Sequence, residues 1–389
     1  MNESGKATGA SLTVQAAKAF NRRTFLKAAS AVTAIAATGP LYIKRSLASS
    51  GELNILCWTD ELPDAVIKDF TSATGIVVNK TPFSSNEEQV NKLQATFGEG
   101  YDLCMPSFNR ALEFKFIEVL KAFDTNRMKM DAFEPALLKP STDLWTWDGL
   151  YHVPHVWGAE GMAWRTDIAD LNYETMSYGL IWDPQFSGKV QIRPVSGLLG
   201  LGLWLDSTGK LPSNRMLDTY KDEATMRKIY DELLKYALAH KKTQLKQFWD
   251  SSDSIMSGFT DGGCALGQTW DGPVKRMVKA GKPVSFMAPK EGALGWIDGF
   301  ALSKAAANVD QVYAFFDYFT KPEVAGKIAA VSSYNPVIKG AEQFVPDIDK
   351  KLFQAAYPGD AVSKLWYYPA SPTWYLTARN EYAEKLKVS

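Results

Sequence analysis

The segment Gly295-Trp296-Ile297-Asp298-Gly299 sets an indole and a carboxylate two residues apart. On a strand, residues two apart share a face, so Trp296 and Asp298 point the same way. A carboxylate in an apolar run is costly to bury unless it meets a cation. The indole beside it suits an ammonium group, with cation–π attraction adding about 0.5–2 kcal/mol. Two further Trp–acid pairs, Trp270-Asp271 and Trp58-Thr59-Asp60-Glu61, stand near the ends of strand-like runs. Together the three predict a shared aromatic and acidic cleft. Taken singly, a tryptophan is more often core than ligand platform. Asp271 and Asp60 also read as caps of helices opening near Pro273 and Pro63.

Catalytic chemistry finds little support. The three histidines are His152, His155 and His240, and the His-x-x-His spacing of the first two falls in an extended, proline-broken segment. Such a segment lacks the helical geometry of a zinc site, and no third ligand is visible, so neither metal nor cofactor is expected. No Gly-x-Ser-x-Gly, P-loop or Cys-x-x-Cys pattern occurs. The cysteines, Cys57, Cys104 and Cys264, are odd in number and each sits in an apolar run. They read as buried thiols acting as small hydrophobes, with a Cys57–Cys104 bridge as the alternative.

These groups must be positioned by a chain of 389 residues, 46% hydrophobic, with 43 basic and 43 acidic side chains. Ordinary globular composition excludes a disordered, collagen-like or multi-span membrane protein. Neutrality argues against a nucleic-acid binder. The balance is an average, however. Residues 1–48 hold seven Lys/Arg and one acid, leaving 36 basic against 42 acidic residues beyond them. In that leader, Arg22-Arg23-Thr24-Phe25-Leu26-Lys27 precedes an alanine-rich run and the small residues of Ser46-Leu47-Ala48. The order is that of an export signal, of the bacterial twin-arginine type, and not of a membrane span. A soluble, monomeric, periplasmic protein is expected.

Past the leader, strands are predicted over 52–58, 76–83 and 101–106, with helices between them from Pro63 to Gly75 and from an Asn86 cap to Gly98. This βαβ alternation implies a parallel sheet, in which ligands bind beyond the carboxyl ends of the strands. Further strands are expected over 153–164, 189–193, 265–269, 284–288 and 295–302. Helices are expected over 223–239, 273–281 and 311–330, the last broken near Pro322. With no repeat or long linker, a second α/β lobe inserted into the first is expected.

The residues then resemble a known family. Trp58-Thr59-Asp60, Tyr101 to Ser107, Val153-Pro154-His155-Val156-Trp157-Gly158, Trp270-Asp271-Gly272, Pro289 to Gly292, Trp296-Ile297-Asp298 and Tyr334-Asn335-Pro336 resemble the spermidine/putrescine-binding proteins of ABC importers. The resemblance implies a two-lobed periplasmic binding protein fold, each lobe a mixed sheet flanked by helices, with the ligand cleft between lobes. Lobe 1 would comprise 49–157 and 297–335, and lobe 2 would comprise 158–296 and 336–389. It also implies aromatic walls of Trp58, Trp270, Trp296 and Tyr334, an ammonium held by Asp298, Ser107 near a strand end and Asp60 at the rim. The partners implied are an amine ligand and ABC permease subunits in the inner membrane.

The departures concern the ligand. Polyamine-binding members place two more acids in the second lobe, yet residues 189–205 contain none. Glu61 and Asn109 stand where aromatics are usual, and Glu160 is an additional acid near the crossover. Either Glu61 and Glu160 replace the missing acids for a di- or triamine, or Arg193 faces an anionic group on a zwitterion, amino-acid-derived or betaine-like. Arg193 also reads as an ordinary interlobe ion pair. A periplasmic enzyme acting on a nitrogenous substrate is the reading of another class.

Overall fold

A computed structural model describes residues 51–389; the leader of 1–48, with its twin-arginine pattern, lies outside the described residues. The chain opens with β1 (Gly51–Trp58), α1 (Asp64–Thr74), β2 (Ile76–Phe83), α2 (Asn86–Thr96) and β3 (Leu103–Cys104). There follow α3 (Ala111–Ile117), β4 (Leu120–Lys121), α4 (Pro135–Trp145) and the 13-residue β5 (Val153–Arg165). Next come β6 (Val190–Ile192), α5 (Pro194–Ser207), α6 (Glu223–Gln244), β7 (Leu245–Phe248), α7 (Ser252–Thr260), β8 (Leu266–Trp270) and α8 (Asp271–Lys279). The remainder is β9 (Val284–Met287), β10 (Leu294–Ser303), α9 (Val309–Phe319), α10 (Pro322–Ser332), β11 (Asn335–Pro336), α11 (Asp347–Ala356), β12 (Trp366–Tyr367) and α12 (Thr373–Val388).

The local signals explain the first units. Pro63 precedes α1 and Gly75 ends it at φ 76°, where its N–H closes onto Thr71 O at 2.8 Å. Only glycine takes that left-handed turn without strain. Ser85, not Asn86, caps α2 by accepting from Glu88 N at 3.2 Å. Asn86 is the first helical residue, and its amide holds Ser107 instead.

The strands follow the order β2-β1-β3-β10-β5-β8-β6-β7. β1 pairs in parallel with β2 from Gly51↔Ile76 to Trp58↔Phe83 and with β3 at Ile55↔Leu103, as the βαβ alternation predicts. β10 runs antiparallel to β3 by its last residues and to β5 by its earlier ones. Beyond β5, β8 is antiparallel, and β6 and β7 continue in parallel. Both halves are therefore mixed sheets flanked by helices, joined through β5 and β10. The predicted crossings at 157/158, 296/297 and 335/336 lie side by side, since Trp157 pairs with Ile297 on one edge and with Asn335 on the other.

Two apolar cores result. One gathers Leu53, Ile55, Phe70, Phe114, Phe300 and Phe315. The other gathers Met162, Tyr178, Phe186, Leu199, Tyr230 and Tyr375. Each such side chain contributes about 1.5–3 kcal/mol by leaving water. Cys57, Cys104 and Cys264 are buried free thiols. No helix among the described residues is long and apolar enough to cross a membrane.

Candidate ligand-binding site

The carboxyl ends of β1 and β3 deliver Trp58, Asp60, Glu61 and Ser107 to one wall of a cavity between the two halves. Trp296 and Asp298 on β10 and Tyr334 before β11 complete that end, and Glu160, Arg193 and Trp270 line the other. An isolated bridge joins Ser107 to Asp298 across almost two hundred residues of sequence. The indole of Trp296 meets Tyr334 edge-on at 4.9 Å, Trp58 tilts against Phe83 at 4.6 Å, and Trp270 meets Trp249 edge-on at 4.9 Å.

Trp296 can lie low in the wall because its partner on β5 is Gly158. A Cβ there would run into the indole and would stand 2.7 Å from Asp271 Oδ1. Gly158→Ala is therefore expected to cost about 1–3 kcal/mol of stability and to weaken ligand binding together with it. Denaturant titration and calorimetry check the two effects, and wild-type values for both would show that the indole does not need the glycine.

One end of the cavity holds two carboxyls, Glu61 and Asp298, that make no ion pair among the described residues. Glu61 is 3% and Asp298 5% exposed, and Glu61 Oε2 and Asp298 Oδ1 have no hydrogen-bond partner. Burial raises the pKa of both, and the Asp298 carboxylate pushes Glu61 further up. Asp60 differs: Arg276 donates to it at 2.9 Å, Ser252 Oγ at 2.6 Å and Tyr334 Oη at 3.0 Å. Because Ser252 and Arg276 belong to α7 and α8, these bonds draw the two halves together at the rim.

The other end mixes charges. Glu160 accepts from Gln268 Nε2 at 2.6 Å, and burial raises its pKa against the pull of Arg193. Arg193 lies over Trp270 at 5.0 Å and Trp249 at 5.6 Å. Glu87 receives Arg110 and Arg379, each at 2.9 Å, so α2 is tied to α12. Burial works against the charged form of Glu87, but the two guanidiniums outweigh it and hold this carboxyl well below the usual range. Asn109 and Ser371 add a hydrogen bond of 3.1 Å between the same two halves.

Asp271 is a correction. It does not line the cavity. Fully buried, it pairs with Lys275 at 2.7 Å and accepts from Tyr357 Oη at 2.9 Å, opening α8 rather than meeting a ligand. His152 and His155, each pushed down to about 4 by burial, bond to the Pro106 and Glu61 carbonyls. Arg110, Arg379, Tyr368 and Ser196 line the cavity without having been singled out. Arg379 sits in α12 among charged neighbours, and nothing local marks it.

Residues 65–356 match the family described as bacterial extracellular solute-binding protein. The chain belongs to this family. Among relatives of this extracellular solute-binding protein is spermidine/putrescine-binding periplasmic protein 1 of Haemophilus influenzae, 26% identical over 351 residues, 89% of this chain and 91% of the other. Another is the putrescine-binding periplasmic protein PotF of Escherichia coli, 28% identical over 329 residues, 81% and 85% of the respective chains. Among solved structures, the spermidine/putrescine ABC transporter substrate-binding protein PotD of Streptococcus pneumoniae superposes with a TM-score of 0.69 at 23% identity, covering 87% of this chain and 99% of its own. The fold is thus the two-lobed one of periplasmic binding proteins.

Proposed function

We propose that this extracellular solute-binding protein is the periplasmic receptor of an ABC importer for a small solute bearing an ammonium group. The observation that carries the reading is the pair Glu61 and Asp298, buried and outside any ion pair beside Trp58, Trp296 and Tyr334. Its relatives named for spermidine and putrescine support an amine. The lobes 49–157 with 297–335 and 158–296 with 336–389 close on the ligand about the three adjacent crossings. The leader directs export by the twin-arginine route, and the protein acts as a monomer that hands its ligand, chemically unchanged, to permease subunits.

A thermal-shift and calorimetric screen with diamines, polyamines and monoamines tests the reading. Stabilisation by ammonium-bearing solutes is expected, and none from any of them would sink it. Turnover of a bound amine would instead favour an enzyme.

The charge of the site predicts a pH dependence. An ammonium favours ionised Glu61 and Asp298, whose pKa values stand raised in the empty cavity, so binding releases protons. Affinity is expected to fall as pH drops from about 8 to about 5, while the ligand itself stays charged. The empty protein should behave oppositely. Its folded carboxyls bind protons more tightly than the unfolded chain does, so its stability declines as pH rises through their raised values. Calorimetry in buffers of different ionisation enthalpy reads the proton release, and a flat profile would remove the pair from the site.

A further inference from the structure

An ammonium at Asp298 and Glu61 leaves the opposite end of the cavity to be explained, and the groups there have the opposite sign. Arg193 immediately precedes α5, with its guanidinium over Trp270 and Trp249. Among the described residues its guanidinium makes neither an ion pair nor a hydrogen bond, and its charge reaches the carboxyls of Glu160, Asp298 and Glu87 only at longer range. Three residues on, Ser196 is 3% exposed, lines the same cavity, and its Oγ has no hydrogen-bond partner. Both stand at the start of a 14-residue helix, whose Ser196 and Gly197 amides fold back onto the Arg193 carbonyl. Pro194 has no N–H to offer, and Val195, the next residue, also lines the cavity. A helix N-terminus, a buried hydroxyl and a planar cation outside any ion pair are groups suited to a carboxylate.

The neighbouring charges do not cancel it. Arg110 and Arg379 share Glu87, which leaves them paired. Glu160 lies within electrostatic reach of Arg193, but its carboxyl is engaged by Gln268 and forms no ion pair with the guanidinium. The Ser196 hydroxyl stands close enough to Glu160 to help hold its carboxyl down against burial, although the two fall short of full hydrogen-bond geometry. A second ammonium arriving here would meet a guanidinium that no carboxylate holds in an ion pair, which selects against diamines by repulsion.

The span is short. Asp298 pairs with Val156 and Leu294 with Glu160, so the two ends stand four residues apart along β10 and β5. At ~3.3 Å per residue that is about 13 Å between backbone levels, and the side chains narrow it from both ends.

We propose that the solute is a short ω-amino carboxylate, its ammonium at Asp298 and Glu61 and its carboxylate on Arg193, Ser196 and the start of α5. This rests on the ammonium reading above and adds the second charge. The test is calorimetry on the purified protein with four probes of equal chain length: 5-aminopentanoate, 1,5-diaminopentane, pentylamine and pentanoate. The amino carboxylate is expected to bind at least about tenfold tighter than each of the others. Arg193→Gln should abolish that preference, so that the amino carboxylate binds no tighter than pentylamine, and Ser196→Ala should reduce the preference. If the glutamine variant melts early, Arg193→Lys replaces it, keeping the charge but losing the planar fork.

Diamine binding tighter than the amino carboxylate overturns the zwitterion while leaving the ammonium reading intact. Pentanoate binding as well as the amino carboxylate overturns the ammonium reading itself. No binding of any probe overturns both.

Discussion

Asp298→Asn is expected to weaken binding of an ammonium ligand by about two to three orders of magnitude. The ligand's charge would enter a closed cavity and meet an amide where a carboxylate had stood, and the desolvation of a buried cation would go uncompensated. Glu61 makes up only part of the loss: it is relieved of the Asp298 charge, but burial, the largest cause of its raised pKa, still favours its neutral form. The side chains are isosteric, and the empty protein should melt no lower than the wild type, since the substitution removes one of two crowded carboxyls. Isothermal titration and a melting curve separate these effects. An unchanged dissociation constant would exclude Asp298 from the site, whatever the ligand.

The largest effect on stability is expected at Asp271. Its carboxylate and the Lys275 ammonium are 0% and 5% exposed and 2.7 Å apart. Asp271→Ala leaves that ammonium buried without a partner and should cost about 3–5 kcal/mol. The double substitution Asp271→Ala, Lys275→Met should recover most of the loss, because no charge then remains to be compensated. Denaturant unfolding of the three variants forms the cycle. A single substitution costing under about 1 kcal/mol would mean that the pair is solvated in solution.

Asp271 also shows what was legible in the sequence. Neighbours on a strand point to opposite faces, whereas residues two apart share one. By that rule Trp296 with Asp298, and Trp58 with Asp60, could serve one cavity. Trp270 and Asp271 could not both do so, and they divide accordingly: the indole lines the wall and the acid turns inward. The strand 76–83 matches β2 residue for residue because Gly75 ends the helix before it and the Ser84-Ser85 cap opens the next helix after it. Helix α5 escaped because Leu and Gly surround it on all sides; a helix buried on nearly every face has no polar stripe to mark its period. Arg379 and Glu87 were illegible for another reason. They matter only as a pair, and 292 residues of chain separate them.

That pair has a consequence for transport. Glu87 is not among the residues lining the cavity, yet it ties α2 to α12, and the Asn109–Ser371 hydrogen bond joins the same two halves. If the halves close on a ligand as proposed, such bonds would form whatever the cargo and would raise every solute's residence time by a common factor. Discrimination would stay with Asp298, Glu61 and Arg193, the residues proposed to meet the ligand's charges. Selecting a cargo and retaining it are thus separate properties, and a lineage could exchange the first for a new substrate while inheriting the second intact.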